Sequence, residues 1–239
     1  MEVRDRRGGV TVVTEDETVK TAKFDKIPKL KPCFKSDGSV TAASSSPLSD
    51  GACALVLMSA ARAKALNVTA LARVLSSADA TQTPELFTTS PALAVPKAVT
   101  KAGLTLDDMT FFEINEAFAV VALANMKLLN LEASTSKVNI FGGAVAMGHP
   151  LGMLALLCSA RFALLLCVML TYVATLTIAI RVSVDVLFIS GCSGARIVCT
   201  LLTALTRSAE EGSSTKPLYG CAAICNGGGG ATALVIQKI

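Results

Sequence analysis

Three short stretches hold residue types that could do chemistry together. The only histidine of the 239-residue chain, His149, sits in GGAVAMGHPLG at 142–152. Glycines on both sides let the backbone approach a ligand closely, and Pro150 stiffens the turn. An imidazole in that setting is either a general base or a structural hydrogen-bonding group. Cys225 opens CNGGGGA at 225–231, where glycines expose a thiol and offer unobstructed N–H groups to an oxyanion. The same composition also suits a flexible hairpin tip with a buried structural thiol. Asn115 opens NEAFA at 115–119, where a strand pattern runs into an apolar helix pattern. It can cap that helix, or donate hydrogen bonds at a helix N-terminus that already favours negative charge. A fourth stretch, VTAASSSPLSDGA at 40–52, is hydroxyl-rich and, taken alone, only a loop.

Composition narrows the function classes. Apolar residues make up 52% of the chain and the formal charge is +4, with Lys and Arg scattered. No basic stripe interleaved with aromatics is present, which argues against nucleic-acid binding. Cys33, Cys53, Cys158, Cys167, Cys192, Cys199, Cys221 and Cys225 form no CxxC pair, and most lie in apolar segments. That pattern fits reduced thiols of an intracellular protein rather than a disulfide framework. One histidine and no paired cysteines argue against a structural zinc site, so no metal is expected. The N-terminus, MEVRDRRGGVTVV, is charged from its second residue and does not read as a secretory signal. A cytoplasmic location is expected, with mitochondria and peroxisomes as the alternatives.

The elements that must position these groups read as alternating strands and helices. Residues 1–48 are polar, with Pro28, Pro32 and a serine cluster, and predict loops and short extended pieces. ACALVLM at 52–58 is an apolar run of strand length, followed by a helix in SAARAKALN. LARVLSSA predicts a strand, and SPALAVPKAVTKAGL a helix stopped at Gly103. TLDD has capping-box spacing from Thr105 to Asp108. MTFFEI predicts a strand leading straight into the helix NEAFAVVALANMKLLN, which is apolar nearly all round and so should be buried. KVNIF predicts a short strand, and SGARIVCTLLTALTR a helix with Ser193 as its cap. YGCAAIC and ATALVIQ, joined by NGGGG, predict a central hairpin. The class is α/β with mixed strand directions.

In this order and spacing, EINEAFAVVALAN, the GHPLG turn, SGARI and CNGGGGA with ALV resemble the thiolase family, and within it the acetoacetyl-CoA type. The resemblance implies a C-terminal thiolase domain over 49–239 with a five-stranded mixed sheet flanked by helices. Residues 1–48 would be a remnant of the CoA-binding loop region. It implies transfer of acetyl groups between coenzyme A thioesters, two acetyl-CoA giving acetoacetyl-CoA and CoA, and the reverse. No cofactor is expected, the coenzyme A thioesters entering only as substrates. It also implies a homo-oligomer. By motif position His149 resembles the histidine that activates the nucleophile and stabilises the thioester enolate. Cys225 resembles the acid/base cysteine, and Asn115 the residue that holds a water in the oxyanion hole. The N–H of Gly227 resembles a donor to a second hole, and Ser46 a serine that contacts the pantetheine arm. The loop departs from the family's AGNAS, with Ala43 for glycine and Ser44 for asparagine.

Two further departures carry weight. The family's nucleophilic cysteine lies in its N-terminal half, which reads as missing here, and neither Cys33 nor Cys53 sits in its motif. The chain alone is therefore expected to lack turnover, with a non-catalytic thiolase-like subunit as the alternative. In the family GHPLG also runs directly into CSGARI, whereas here residues 153–191 intervene and read as an apolar, helical insertion. Its 162–180 stretch carries no charge and, as a helix, would span roughly 28 Å, about a bilayer's hydrocarbon core. A passive insertion such as a retained intron, a membrane anchor, and a buried helix pair are the three readings of it.

Overall fold

The computed structural model describes residues 2–5, 7–151, 191–212 and 216–239. The expected insertion at 153–191, apart from Gly191, lies outside the described residues, and so does the membrane span considered at 162–180. Among the described residues no helix is long and apolar enough to cross a membrane. The chain forms two compact units, residues 1–43 and 44–239.

In the first unit β1 (Glu2–Arg4) and β2 (Val10–Val12) pair antiparallel, Val3 opposite Thr11. The Asp5 carboxylate closes their turn by accepting from the N–H groups of Arg7 and Gly9 at 2.7 and 2.9 Å. A short helix, α1 (Glu17–Thr21), is capped by Asp16. Val3, Val10, Val12 and Phe24 are all exposed, so this unit buries little apolar surface of its own.

The second unit begins with α2 (Ala60–Ala65), capped by the Ser59 hydroxyl, which accepts from the Arg62 N–H. There follow β3 (Ala72–Thr81), α3 (Pro91–Lys101), β4 (Met109–Ile114), α4 (Ala119–Leu128), α5 (Ala144–Met147), α6 (Gly191–Glu210), β5 (Tyr219–Cys225) and β6 (Gly230–Lys238). The sheet order is β3-β6-β5-β4, with β5 and β6 as the two central strands. β3 and β5 both run antiparallel to β6, and β4 runs parallel to β5. Alternation along the central strands divides the core between two faces. Cys221, Ala223, Cys225, Ala233 and Val235 pack with Val95, Val99 and Val121 from α3 and α4. Ala222, Ile224, Leu234 and Ile236 pack with Leu201 and Leu205 of α6. The sheet thus lies between α3 and α4 on one face and α6 on the other.

The described sheet has four strands rather than the five expected. KVNIF contributes only one bridge, Val138 to Phe112 on the outer edge of β4. Asn139 explains why. Its backbone is left-handed (φ 49°), and its side-chain amide accepts from the Ile114 N–H and donates to the Ile114 carbonyl at 2.8 and 2.9 Å. The amide fills the ladder positions that a fifth strand would use. ACALVLM is a second correction, since residues 52–58 have no regular secondary structure. An apolar run signals burial, not pairing, and Val56 and Leu57 are exposed in any case.

A third correction concerns α4, which starts at Ala119 rather than at Asn115. It is also only half buried. Val121, Ala122, Asn125 and Met126 face the core, while Val120 and Leu123 are exposed. Asn125 is fully buried and works as a cross-brace. Its Oδ1 accepts from the Ala92 N–H at 2.7 Å, in the first turn of α3, and its Nδ2 donates to the carbonyls of Thr88 and Val121 at 2.8 and 2.6 Å. The Thr105–Asp108 capping box is present, and Gly103 ends α3 with φ +74°.

Removing the brace strands a buried donor and a buried acceptor. Asn125→Ala is expected to lower unfolding free energy by about 2–4 kcal/mol, and Leu123→Ala, on the exposed face, by less than about 0.5 kcal/mol. Urea titrations of the two variants check the contrast.

Candidate active site

The parallel strands β4 and β5 end on the same edge of the sheet, where α/β folds place their chemistry. The first residue past β4 is Asn115, whose N–H extends the ladder to the Ala223 carbonyl at 2.9 Å. Its side chain is 2% exposed, so β4 delivers an amide into the interior rather than onto a helix end. Asn115 is therefore not a helix cap.

His149 meets it there. The Asn115 Nδ2 lies 3.1 Å from His149 Nε2, and the imidazole is 7% exposed. The turn that presents His149 is held from several sides. The His149 N–H donates to the Pro47 carbonyl at 2.8 Å, and Leu48 bridges to His149 in parallel. Gly148 has φ +86°, and a Cβ there would collide with the Ser49 hydroxyl at 2.2 Å. Arg196 of α6 donates from Nη1 to the Gly148 carbonyl at 2.7 Å. Glu116 ties α5 to the same edge, accepting from Asn139 Nδ2 at 2.8 Å and from the Val145 N–H at 3.3 Å.

The other imidazole nitrogen fixes the tautomer. His149 Nδ1 lies 2.6 Å from Ser193 Oγ, and that hydroxyl donates its single proton to the Pro150 carbonyl at 3.2 Å. Asn115 Nδ2 can only donate, so Nε2 accepts and Nδ1 carries the proton, which Ser193 Oγ accepts while donating its own to Pro150. Ser193 is accordingly a histidine-orienting group inside the first turn of α6, not the cap expected of it. Burial, reinforced by the Arg196 guanidinium, lowers the His149 pKa to about 4, so the ring is neutral near pH 7. The chain of contacts ends on an orphan. Asn115 Oδ1 is buried and has no hydrogen-bond partner among the described residues. A buried unpaired carbonyl costs about 1–3 kcal/mol, which marks it as an acceptor awaiting a donor.

Cys225 ends β5, two residues beyond Ala223, to which Asn115 is bonded. Burial pushes its thiol up to about 11, so it is protonated near pH 7. The turn after it is shaped by Asn226, whose Oδ1 accepts from Gly228 and Gly230 at 3.0 and 3.3 Å. Gly229 has φ +88°, and a Cβ there would strike the Gln82 carbonyl at 2.2 Å. Its own carbonyl accepts from the Gln82 N–H and the Ser90 hydroxyl, which anchors the turn. Gly227 is exposed at the tip. Among the described residues neither Cys225 nor Gly227 hydrogen-bonds to Asn115 or His149. Ser46 approaches from the 44–49 loop, donating from Oγ to the Ala117 carbonyl at 2.8 Å, two residues past Asn115.

Asn115 and His149 are thus in direct contact, with Cys225 and Ser46 on flanking segments. Arg196, Ser193 in its actual role, and the carboxyls of Glu113 and Glu116 are additions to the residues expected. The SGARI spacing was the available signal, because Ser193 and Arg196 stand three apart, one helical turn, on one side of α6. Glu113 is buried on β4, and burial first, then the charge of Glu116, raises its pKa to about 8 against the pull of Arg196. Among the described residues no group of three metal-ligating side chains comes together.

Comparison with known proteins gives a consistent outcome. The family model described as "Thiolase, C-terminal domain" matches residues 68–177, and "Thiolase, N-terminal domain" matches residues 1–61. A Bos taurus protein named mitochondrial acetyl-CoA acetyltransferase is 45% identical over 229 residues, covering 95% of this chain and 42% of that protein. A Gibberella zeae protein named cytosolic acetyl-CoA acetyltransferase is 40% identical over 240 residues, covering 100% and 48%. The crystal structure of the Bacillus anthracis acetyl-CoA acetyltransferase superposes with a TM-score of 0.71 at 31% identity, covering 100% of this chain and 48% of that one. The chain spans about half the length of the relatives it matches.

The two shifted groups act on stability with opposite signs. His149 takes a proton at 6.5 when unfolded and near 4 when folded, so stability falls as pH drops from 6.5 towards 4. Glu113 takes one at 4.5 when unfolded and near 8 when folded, so its contribution is complete below 4.5 and is lost as pH rises through 8. The slopes cancel from 4.5 to 6.5 and leave Glu113 alone above that. Between pH 6.5 and 8 the parent chain is expected to lose about 2 kcal/mol more than Glu113→Gln, which cannot ionise. Denaturant titrations of both proteins at the two pH values check this.

Proposed function

The chain belongs to the thiolase family, and from that premise we propose that Asn115, His149, Cys225 and Gly227 form the acid–base and oxyanion part of a thiolase-type acyltransferase site. The substrates proposed are acetyl-CoA, which the relatives' names print, and acetoacetyl-CoA, which the resemblance to the family implies. The observation that carries the reading is the buried series Ser193–His149–Asn115, which ends on an unpaired amide oxygen. A neutral imidazole left unprotonated at Nε2 is the state needed to take a proton from a nucleophilic thiol. Once protonated, Nε2–H becomes a donor towards a thioester oxygen on which negative charge develops. Asn115 Oδ1 supplies the acceptor for a water that would complete that oxyanion hole.

Cys225 supplies the proton. A thiol held near 11 rests protonated and can give its proton to the enolate released when acetoacetyl-CoA is cleaved. Returning that proton path in reverse generates the enolate of acetyl-CoA for condensation. The N–H of Gly227, two residues past Cys225 in an exposed turn, is proposed as the donor to a second hole for the tetrahedral intermediate. Ser46 is proposed to meet the pantetheine arm of CoA, since its hydroxyl oxygen keeps a lone pair after donating to Ala117. Residues 1–48 are proposed to belong to the CoA-binding loop region and 49–239 to the C-terminal domain. The nucleophile's role falls to no cysteine of this chain, so residues 1–239 alone are proposed not to condense acetyl-CoA. In a working assembly the site would be completed within a homo-oligomer of the family's type, and both cytosolic and mitochondrial settings agree with the relatives' names.

The acid–base half can be tested without the nucleophile. Acetyl-CoA incubated with the chain in deuterium oxide is expected to exchange its methyl hydrogens faster than in buffer, as followed by proton NMR. Cys225→Ala and His149→Ala are each expected to slow that exchange by about 100-fold or more. No acceleration by the parent chain, or full exchange by Cys225→Ala, contradicts the assignment. CoA binding without exchange favours the non-catalytic subunit instead.

A further inference from the structure

Away from the Asn115–His149 pair, two thiols from opposite ends of the chain face each other. Cys53 Sγ and Cys199 Sγ are 3.3 Å apart across a sequence separation of 146 residues, and both side chains are half-buried. We propose that Cys53 and Cys199 are a redox modification site, closing to an intramolecular disulfide by exchange with a small-molecule disulfide. A disulfide bond is about 2.05 Å long, so the sulfurs must approach by a little over 1 Å. Cys53 can make that move. It stands in the 52–58 segment, which has no regular secondary structure, whereas Cys199 is fixed on α6.

The order of attack follows from the surroundings. Burial raises the Cys199 thiol to about 12, and the hydrogen bond and charge of Cys53 add to that effect. Cys199 is therefore the poorer first nucleophile, and the Cys53 thiolate attacks the small disulfide, releasing one small thiolate and leaving a mixed disulfide. With Cys53 capped, its hydrogen bond and its charge no longer add to the effect of burial on Cys199. The Cys199 thiolate then attacks Cys53 Sγ, breaks the mixed disulfide and expels the second small thiolate. Two protein thiols become one disulfide, one small disulfide becomes two thiols, and the two protein protons end on the expelled sulfurs.

A third thiol stands nearby. Cys192 lies two turns before Cys199 on α6, but it is buried, and its sulfur sits against Gly51. Gly51 in turn packs on Pro150, next to His149. The Cys53–Cys199 bond would therefore tie the segment beside the histidine turn to the helix that carries Ser193 and Arg196. Its effect is to lock the support of the imidazole rather than to cap a group that reacts.

The test is native incubation of the whole chain with oxidised glutathione, followed by alkylation, digestion and mass mapping. The expected product has lost two hydrogens, joins the peptides of Cys53 and Cys199, and is reopened by dithiothreitol. Cys199→Ser is expected to stop at glutathione on Cys53, and Cys53→Ser to leave Cys199 free for alkylation. A parent chain in which both thiols stay alkylatable overturns the proposal. So does one that keeps glutathione on Cys53, or one that joins Cys53 to Cys192.

Discussion

A single hydroxyl proton organises the site. Ser193 gives its proton to the Pro150 carbonyl and accepts from His149, whose other ring nitrogen faces an amide that can only donate. That leaves one tautomer for a ring that burial also keeps neutral. The Nε2 lone pair then faces the Asn115 Nδ2 donor, and the amide's other end has no partner among the described residues. Reversing any link changes what the site can do. An imidazole with its proton on Nε2 would already be a donor and could not begin as a base. The arrangement depends on an ordered series of polar groups inside a low-dielectric interior, where a satisfied contact is worth more than in water and an unsatisfied one costs more.

The series is short in space and long in sequence. Asn115 comes from the end of β4, His149 from the turn after α5, and Ser193 from the start of α6. The sheet makes the meeting possible, because parallel β4 and β5 end on one edge and α6 packs across that sheet through Leu201 and Leu205. Local devices then set the last ångström. Arg196 and Pro47 hold the Gly148–His149 peptide group by its carbonyl and its N–H, and the positive φ of Gly148 turns it inward. Catalytic geometry is sensitive at this scale, so these supports matter as much as the groups they aim.

How much was legible in the sequence depends on whether a residue acts locally. Strands β3 to β6, the glycine stop at Gly103 and the Thr105 capping box all follow from neighbours within a few positions. The pairing of Asn115 with His149 came from motif resemblance, not from spacing, since 34 residues separate them. The fifth strand failed because β-propensity in KVNIF was overridden by the Asn139 amide, which occupies the ladder of β4. A serine near a helix start reads locally as a cap, and only the fold reveals the imidazole beside Ser193. The helix after NEAFA was expected to be buried because its composition is apolar all round, yet the described structure covers only one side of it. Composition describes the side chains. What lies against them is a tertiary fact.

The most direct measurement is nitrogen-resolved NMR of the lone imidazole in uniformly labelled protein. One histidine means one pair of ring nitrogens and no assignment problem. The account predicts a neutral ring with its proton on Nδ1 at pH 7, staying neutral until the pH nears 4. It also predicts that Ser193→Ala redistributes the proton towards Nε2. A ring protonated on Nε2 at pH 7, or one that titrates near 6.5 like a free histidine, contradicts the account.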